Sequence, residues 1–497
     1  MFDALQPRFL SFVFCAVVFT SLAHSQSKPI VIGIIGDQYG AAAGTDPYPV
    51  LAQAVSVLRE EKVNAILHVG DLLEASGVQS ESEYKKKFDF ATQLLDQSQL
   101  PWFVTPGDHD VVPDLDMTDW TRVATDHTRE EYFLKFYAAK KPQLGPTNLF
   151  YSFDLDGYHF IALYSIETLR ADVRWGDAFR AEISPNQLRW LEEDLTKHAS
   201  SRGTIVFTHQ PLWYNVGAWA PVHNALRTHH VLAVVAGHFH YSQDEGTIDG
   251  IRYLVAGASG ATVGASGQER SADAGGQPVV MLMKLRPGKV EVELRALPSG
   301  KALPLFTRHD MDRVQAFSQG LSELYSDIST HSRVCLAGDG QLFTTPKKAV
   351  PTAGTASVPP QETARLGLCA VGNPIDVSAE VSIQLLSKQV TFDDAQFDPK
   401  FCETSTALSC ALQPGRRTTE ANPSSVSFLS CQQYDYFADT EVQGITEMFH
   451  TTLRPLTSDP PKEKDTIPFK VTYRFTGDRD DLWVSQSFEL QVDACAK

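Results

Sequence analysis

The stretch Trp102-Phe103-Val104-Thr105-Pro106-Gly107-Asp108-His109-Asp110 reads as the end of a short buried strand that opens into a tight loop. Pro106 and Gly107 stop the strand, and the loop then presents a carboxylate, an imidazole and a second carboxylate in succession. Taken alone, Pro-Gly-Asp is ordinary turn chemistry. Its meaning depends on what the rest of the chain places at comparable positions.

Two earlier runs have the same form: residues 29–35 (Pro-Ile-Val-Ile-Gly-Ile-Ile) end in Gly36-Asp37, and residues 63–69 end in Gly70-Asp71. Uninterrupted apolar runs of this length fit strands covered on both faces. Between them Leu51, Val55 and Leu58 recur at helical spacing, as do Tyr84, Phe88, Ala91 and Leu95 before the third run. Strand, helix, strand, helix, strand is the pattern of parallel crossover units, in which residues just past the strand ends gather at one rim. Asp37, Asp71 and Asp108 take that position in turn.

Further on, a hairpin turning at Asp156-Gly157 and a helix bearing Leu188, Leu191 and Leu195 precede two more strand ends. Residues 204–207 run into His209, and 231–236 run into Gly237-His238-Phe239-His240. A short strand over 252–256, a Gly/Ala/Ser-rich loop over 257–276 and a hairpin over 279–294 close this unit near residue 300. If the strands share a sheet, three carboxylates and three imidazoles converge. Two like charges 4 Å apart repel by roughly 4 kcal/mol at an effective dielectric of 20, so such a cluster calls for protons or cations. Mixed oxygen and imidazole ligands suit Zn, Mn, Fe or Ni. A metal pair sharing a carboxylate can supply hydroxide at neutral pH and clamp an in-line phosphoryl displacement.

The order of these blocks over residues 29–300 resembles the calcineurin-like metallophosphoesterases. Asp37 falls in the first metal motif, Gly70-Asp71 in the second and Gly107-Asp108-His109-Asp110 in the Gly-Asn-His-Asp/Glu block. His209 matches the lone-His block, and Gly237-His238-Phe239-His240 matches Gly-His-x-His. The segment 70–77 with Pro101-Trp102 is most similar to the purple acid phosphatase branch. The resemblance implies an α/β fold of four layers, an αββα sandwich, with two divalent or mixed-valence metal ions (Fe, Mn, Zn or Ni). It also implies hydrolysis of phosphate mono- or diesters by hydroxide generated at the metals, with no covalent enzyme intermediate. By position, Asp71 bridges the metals, Asp37 and His240 hold the first, Asp108, His209 and His238 hold the second, and His109 contacts phosphate or protonates the leaving group, its ring oriented by Asp110. Three positions depart from the family pattern: Asp108 stands where Asn is usual, Tyr39 where His or Gly is usual, and Glu74 where the purple branch has its metal-binding tyrosine. Tyr39 and Glu74 are thus the candidates for a fourth ligand to the first metal. The departures also motivate an alternative, a catalytically degraded relative that binds phosphate or a phosphorylated ligand without turnover. His68, His159, His229 and His230 read as structural or exposed.

With 497 residues the chain exceeds one typical core. Residues 9–23 form an apolar run of signal-peptide length, after Arg8 and before Ala23-His24-Ser25. We therefore expect a signal peptide over 1–25, a secreted or periplasmic protein, and no transmembrane segment in the mature chain. A net charge of −17 argues against a nucleic-acid partner. Six of the seven cysteines (Cys335, Cys369, Cys402, Cys410, Cys431 and Cys495) fall after position 330, an even number that allows three disulfides in an exported chain. A linker and helical connection is expected over 301–365, with a helix around 314–325 and a Pro/Thr/Ala/Lys-rich stretch at 344–363. The alternation of Phe469, Val471, Tyr473 and Phe475 with polar residues then marks a smaller disulfide-containing β-rich domain over 366–497.

Overall fold

The computed structural model describes residues 29–39, 48–113, 122, 125–171, 179–214, 216–261, 267–337, 342–346, 375–397, 408–412, 425–434, 449–475 and 481–495. The expected signal segment, Cys369, Cys402 and most of the 344–363 stretch lie outside these residues.

Two six-stranded mixed sheets are built from residues 30–303. The first runs Ala302–Leu303, Lys289–Ala296, Val279–Arg286, Ile30–Ile35, Ala65–His68, Trp102–Val104. Its last three strands are parallel to one another, and the hairpin joins them antiparallel through Val279–Arg286. The second runs Gln243–Ile248, Ile251–Val255, Val231–Ala236, Thr204–Phe207, Tyr158–Ala162, Tyr151–Leu155, parallel in its four central strands. The apolar runs are strands because both their faces are covered: Ala65–His68, Trp102–Val104, Thr204–Phe207 and Val231–Ala236 are buried throughout. The hairpin turns where expected, with Asp156 (φ 49°) and Gly157 (φ 81°) both left-handed, the conformation a two-residue turn needs.

Helices Tyr48–Glu60, Glu81–Gln97 and Thr128–Lys140 are the crossovers and cover of the first sheet, and Pro185–Lys197 and Val216–Leu226 accompany the second. Glu81–Gln97 is capped by Ser80, whose hydroxyl accepts from Glu83 N–H, and Pro185–Lys197 by Ser184 with proline in its first turn. The two sheets meet where the Phe103 ring stacks on Phe153 (3.5 Å between centroids) and Tyr151 Oη donates to the Val104 carbonyl (2.9 Å). Thr105 Oγ1 donates to the Leu163 carbonyl (2.8 Å), tying the loop at 105–110 to the second sheet.

A third sheet holds the later strands, in the order Val390–Phe397, Phe449–Pro455, Leu342–Pro346, Ser332–Leu336, Trp483–Ala494, Thr466–Phe475, Ile375–Leu385, Ser425–Tyr434, Leu408–Leu412. The alternation at 469–475 puts Phe469, Val471, Tyr473 and Phe475 on a buried face. Helix Arg308–His331 lies against that sheet, with Phe317 on Tyr473 (5.1 Å) and Phe475 (4.8 Å). Two features differ from the sequence expectation. Strands Ser332–Leu336 and Leu342–Pro346 sit inside the stretch read as linker, and Gln268–Arg270, from the Gly-rich loop of the first unit, pairs antiparallel with Trp483–Ala494. All three segments are too short for periodicity to reveal them. Cys335 and Cys495 are disulfide-bonded. Cys410 and Cys431 lie on neighbouring strands, with Ala411 opposite Cys431.

Candidate metal centre

The three aspartates arrive from the first sheet and the three histidines from the second, so the site forms where two sheets meet rather than along one. Asp37, Asp71 and His240 bring one ligand atom each into a group whose atoms all lie within 4.8 Å of one another. Asp108, His209 and His238 form a second such group, and Asp71, Asp108 and His109 a third that joins them. Asp71 is shared by the first and third groups, and its Oδ1 lies 3.3 Å from His209 Nε2 of the second. Four of these residues have left-handed backbone: Asp37 (φ 51°), Asp71 (φ 58°), His238 (φ 71°) and His240 (φ 60°). That conformation costs a non-glycine residue about 1–2 kcal/mol, and its concentration here marks backbone bent to aim side chains.

Two glycines make room for this. Gly70 has φ 103°, and a Cβ there would fall 2.5 Å from His209 Nδ1. A Cβ on Gly107 would fall 2.1 Å from Asp71 Oδ1. The block glycines are therefore required by close approach of neighbouring strand ends.

Hydrogen bonds fix the ligand atoms. His209 is fully buried, and its Nδ1 lies 2.8 Å from the Val69 carbonyl. That contact holds the proton on Nδ1 and leaves Nε2 facing Asp108 Oδ1 (2.8 Å) and Asp71 Oδ1 (3.3 Å), the usual support of a ligating histidine. His238 Nδ1 approaches the same Asp108 oxygen (3.2 Å), and its N–H donates to Asp37 Oδ1 (2.8 Å). Asp71 Oδ1 accepts from His109 N–H (3.1 Å). The remaining oxygens, Asp37 Oδ2 and Asp71 Oδ2, are buried and have no hydrogen-bond partner among the described residues. An orphaned buried carboxylate oxygen is unfavourable, and a cation between the two groups would satisfy both. The donor set therefore fits a metal pair of oxygen and nitrogen preference.

Titration reflects the same crowding. Burial, with Asp108 and Asp37 nearby, pushes Asp71 well above its ordinary value against the pull of His209 and His109. Burial also opposes charge on Asp108, but His238 and His209 outweigh it and hold that carboxyl well below the usual range. Burial opposes charge on His109 as well. There Asp71, a hydrogen bond to Glu74 and Asp108 prevail, raising it to about 10.

Glu74 and Asp110 do not stand as expected. Glu74, a candidate fourth ligand, lies beside His109 instead: its Oε2 is 2.6 Å from Nδ1, and its Oε1 accepts from Ser76 N–H (2.7 Å). Asp110 does not orient the His109 ring, because the 108–111 turn folds its carboxylate back onto the N–H groups of Gly107 (2.7 Å), Leu73 (2.9 Å) and Leu72 (3.3 Å). It braces the backbone beside Asp71 and is fully buried, which raises it to about 6. Tyr39 packs its ring edge-on to Tyr48 (5.9 Å). The sequence reading missed a support behind the site. Burial, then His209, holds His68 down to about 3. His68 Nδ1 accepts from Gly70 N–H (3.2 Å), its Nε2 meets Gln38 Oε1, and Gln38 Nε2 donates to the Ser259 carbonyl (2.7 Å). The available signal was position: Gln38 follows Asp37, and His68 precedes Gly70 by two.

Residues 30–242 match the family described as calcineurin-like phosphoesterase. A curated relative, purple acid phosphatase 22 of Arabidopsis thaliana, is 24% identical over 191 residues, which cover 38% of this chain and 36% of that protein. Among solved structures, a dimetal phosphatase from Danio rerio is similar over 56% of this chain and 99% of its own, at 15% identity and a TM-score of 0.38. GAP50, the anchor in the inner membrane complex of Plasmodium, is similar over 56% of this chain and 89% of its own, at 14% identity and a TM-score of 0.35.

Proposed function

We propose that the chain is an exported dimetal phosphoesterase that hydrolyses phosphate mono- or diesters. Its catalytic unit spans residues 29–300 in the family's four-layer αββα arrangement, with the third sheet as accessory. The observation that carries this reading is the pair of buried oxygens on Asp37 and Asp71 that have no hydrogen-bond partner among the described residues, in residues that form one of two neighbouring groups able to hold a metal. Asp37, Asp71 and His240 would hold one ion, and Asp71, Asp108, His209 and His238 the other. When bound, the ions supply activation of water and charge that neutralises the phosphoryl oxygens. The protein's own part is to hold the ester in line and to manage the leaving-group proton. His109 is placed for that task, because Glu74 occupies Nδ1 and leaves Nε2 to bond a phosphoryl or ester oxygen.

The test is a panel of aryl phosphate monoesters and diesters assayed on mature protein reconstituted in turn with Mn, Zn, Fe and Ni. Metal-dependent turnover abolished by chelation is the expected result. Stoichiometric metal binding without turnover of any ester would favour the binding-only alternative, and absence of metal binding would remove both.

A further inference from the structure

His240 and Asp37 stand on backbone that the two core sheets do not hold alone, and two connections lead from that backbone to the third sheet. The first begins at Asp37. Ala261 N–H donates to the Asp37 carbonyl (2.7 Å) and Ser259 N–H to the Gly36 carbonyl (2.9 Å). Farther along the chain, beyond 262–266, which lie outside the described residues, Gln268–Arg270 pairs with 484–486 of the third sheet. Ser271 closes that pairing: its N–H donates to the Trp483 carbonyl (3.0 Å), and its Oγ accepts from Trp483 N–H (3.1 Å). The Glu269 carboxylate also meets Lys470 of the sheet.

The second connection begins at His240. Its neighbours Phe239 and Tyr241 stack on each other (5.5 Å), and Phe239 packs against Tyr214 (4.8 Å). Tyr214 Oη donates to Glu245 Oε1 (2.6 Å) and accepts from Arg308 Nη1 (2.9 Å), which also meets Glu245 Oε2 (2.9 Å). The Glu245 side chain is fully buried, so Arg308 neutralises a charge that has no access to water. Gln315 Nε2 donates to Tyr241 Oη. Arg308 and Gln315 both lie on the helix whose Phe317 packs on the third sheet. The second ligand group is held differently in two of its three members. Asp108 and His209 are fixed by contacts within the core, through the Asp110 bonds and the Val69 carbonyl, and only His238 shares the segment of His240.

We propose that the third sheet is a positioning platform for the metal group Asp37–Asp71–His240, acting through Arg308 on one side and Ser271 on the other. The inference rests on the dimetal reading. Asp37 and His240 are both left-handed residues, which keep their aim only while surrounding contacts over-determine them. Loosening the 239–245 segment or the contacts at 259–261 and 268–271 lets them relax, and the first ion, with both Asp37 and His240 affected, loses its ligand geometry before the second, with His238 alone.

The experiment is a calorimetric titration of metal-free, full mature chain with Mn(II) or Zn(II), on the natural protein and on Arg308→Met, Arg308→Lys and Ser271→Pro. Ser271 has φ −63°, which proline adopts, but its ring takes the place of the N–H that meets the Trp483 carbonyl, so that variant breaks the pairing at this point outright. In Arg308→Met and Ser271→Pro one ion should weaken by about tenfold or more, as for other residues that orient ligands, with the second ion much less affected. Arg308→Lys, which keeps the charge beside Glu245, should recover part of the loss. Equal weakening of both ions, or none, overturns the platform. If Arg308→Met fails to fold, Ser271→Pro carries the test by the same criterion. Natural protein that binds no metal overturns the dimetal reading and this inference together, whereas two ions left unchanged in the variants overturn this inference alone.

Discussion

Glu74 and His109 form a contact of 2.6 Å that decides which imidazole nitrogen remains for chemistry. Replacing His109 by Ala should lower kcat by about 10²–10⁴-fold, the range for a positioned acid or base, while elemental analysis finds the metal content unchanged. Loss of the ions on purification would instead make His109 a ligand. Glu74 raises the His109 pKa, partly through a hydrogen bond. Glu74→Gln should therefore lower it, and an activity that needs the protonated ring should fall at a lower pH on the alkaline side of the kcat/KM profile. Asp108 adds a negative charge where the family commonly has an amide, and less net positive charge disfavours a dianionic monoester more than a monoanionic diester. In Asp108→Asn the ratio of monoester to diester kcat/KM should rise, and an unchanged ratio would refute the charge argument. The six residues of the two ligand groups were legible because each follows an apolar run that had to end at one rim. The roles of Glu74 and Asp110 were not, because adjacency in sequence does not reveal that a single turn at 108–111 swings Asp110 away from its neighbour's ring.

The strand Tyr158–Ala162 carries a different kind of histidine. His159 is buried, with Nδ1 2.8 Å from Asp154 and Nε2 2.7 Å from Asp194, and its ring stacks on His198 (3.9 Å). With both nitrogens committed to carboxylates it is a structural ion pair linking the strand to helix Pro185–Lys197. Burial opposes its charge, but Asp194 and Asp154 outweigh that and raise its pKa. A raised native value means that the stabilisation is complete below the ordinary value of 6.5 and is lost as pH climbs through the native one. His159→Gln should cost about 3 kcal/mol at pH 6, as for breaking a buried ion pair, with a smaller difference at alkaline pH; urea unfolding at the two pH values checks it. The central strands and three helices of the first 300 residues could be read from apolar runs and helical spacing because both faces of those strands are packed, whereas Thr168–Ala171, Phe179–Glu182, Gln243–Ile248, Thr128–Lys140 and Val216–Leu226 carry no such signal. The third sheet was legible only at 469–475, where alternation is sustained. Gln268–Arg270 owes its strand character to a partner far away in sequence, and the short hairpin Ser332–Leu336 with Leu342–Pro346 is flanked on both sides by such partners.

The Cys335–Cys495 bond spans 160 residues and staples the strand after helix Arg308–His331 to the strand that pairs with Gln268–Arg270. Closing a loop of that size stabilises by up to about 5 kcal/mol in the chain-entropy account. Replacing both cysteines by Ser should therefore lower the denaturation midpoint of the whole protein. If all six late cysteines are paired, thiol titration of denatured, unreduced mature protein finds none free, and several reactive thiols would contradict that. Both core sheets are complete by Leu303, whereas the third needs the strand Trp483–Ala494. At a synthesis rate of about 5–20 residues per second, that strand follows on the order of ten seconds or more behind the core. During the interval a nascent chain already carries its carboxylates and imidazoles, but the loops beside Asp37 and His240 have nothing to lean on. If the platform holds, loading of the first ion waits for completion of the chain, and a chain stalled short of Trp483 would keep its core sheets yet bind that ion weakly.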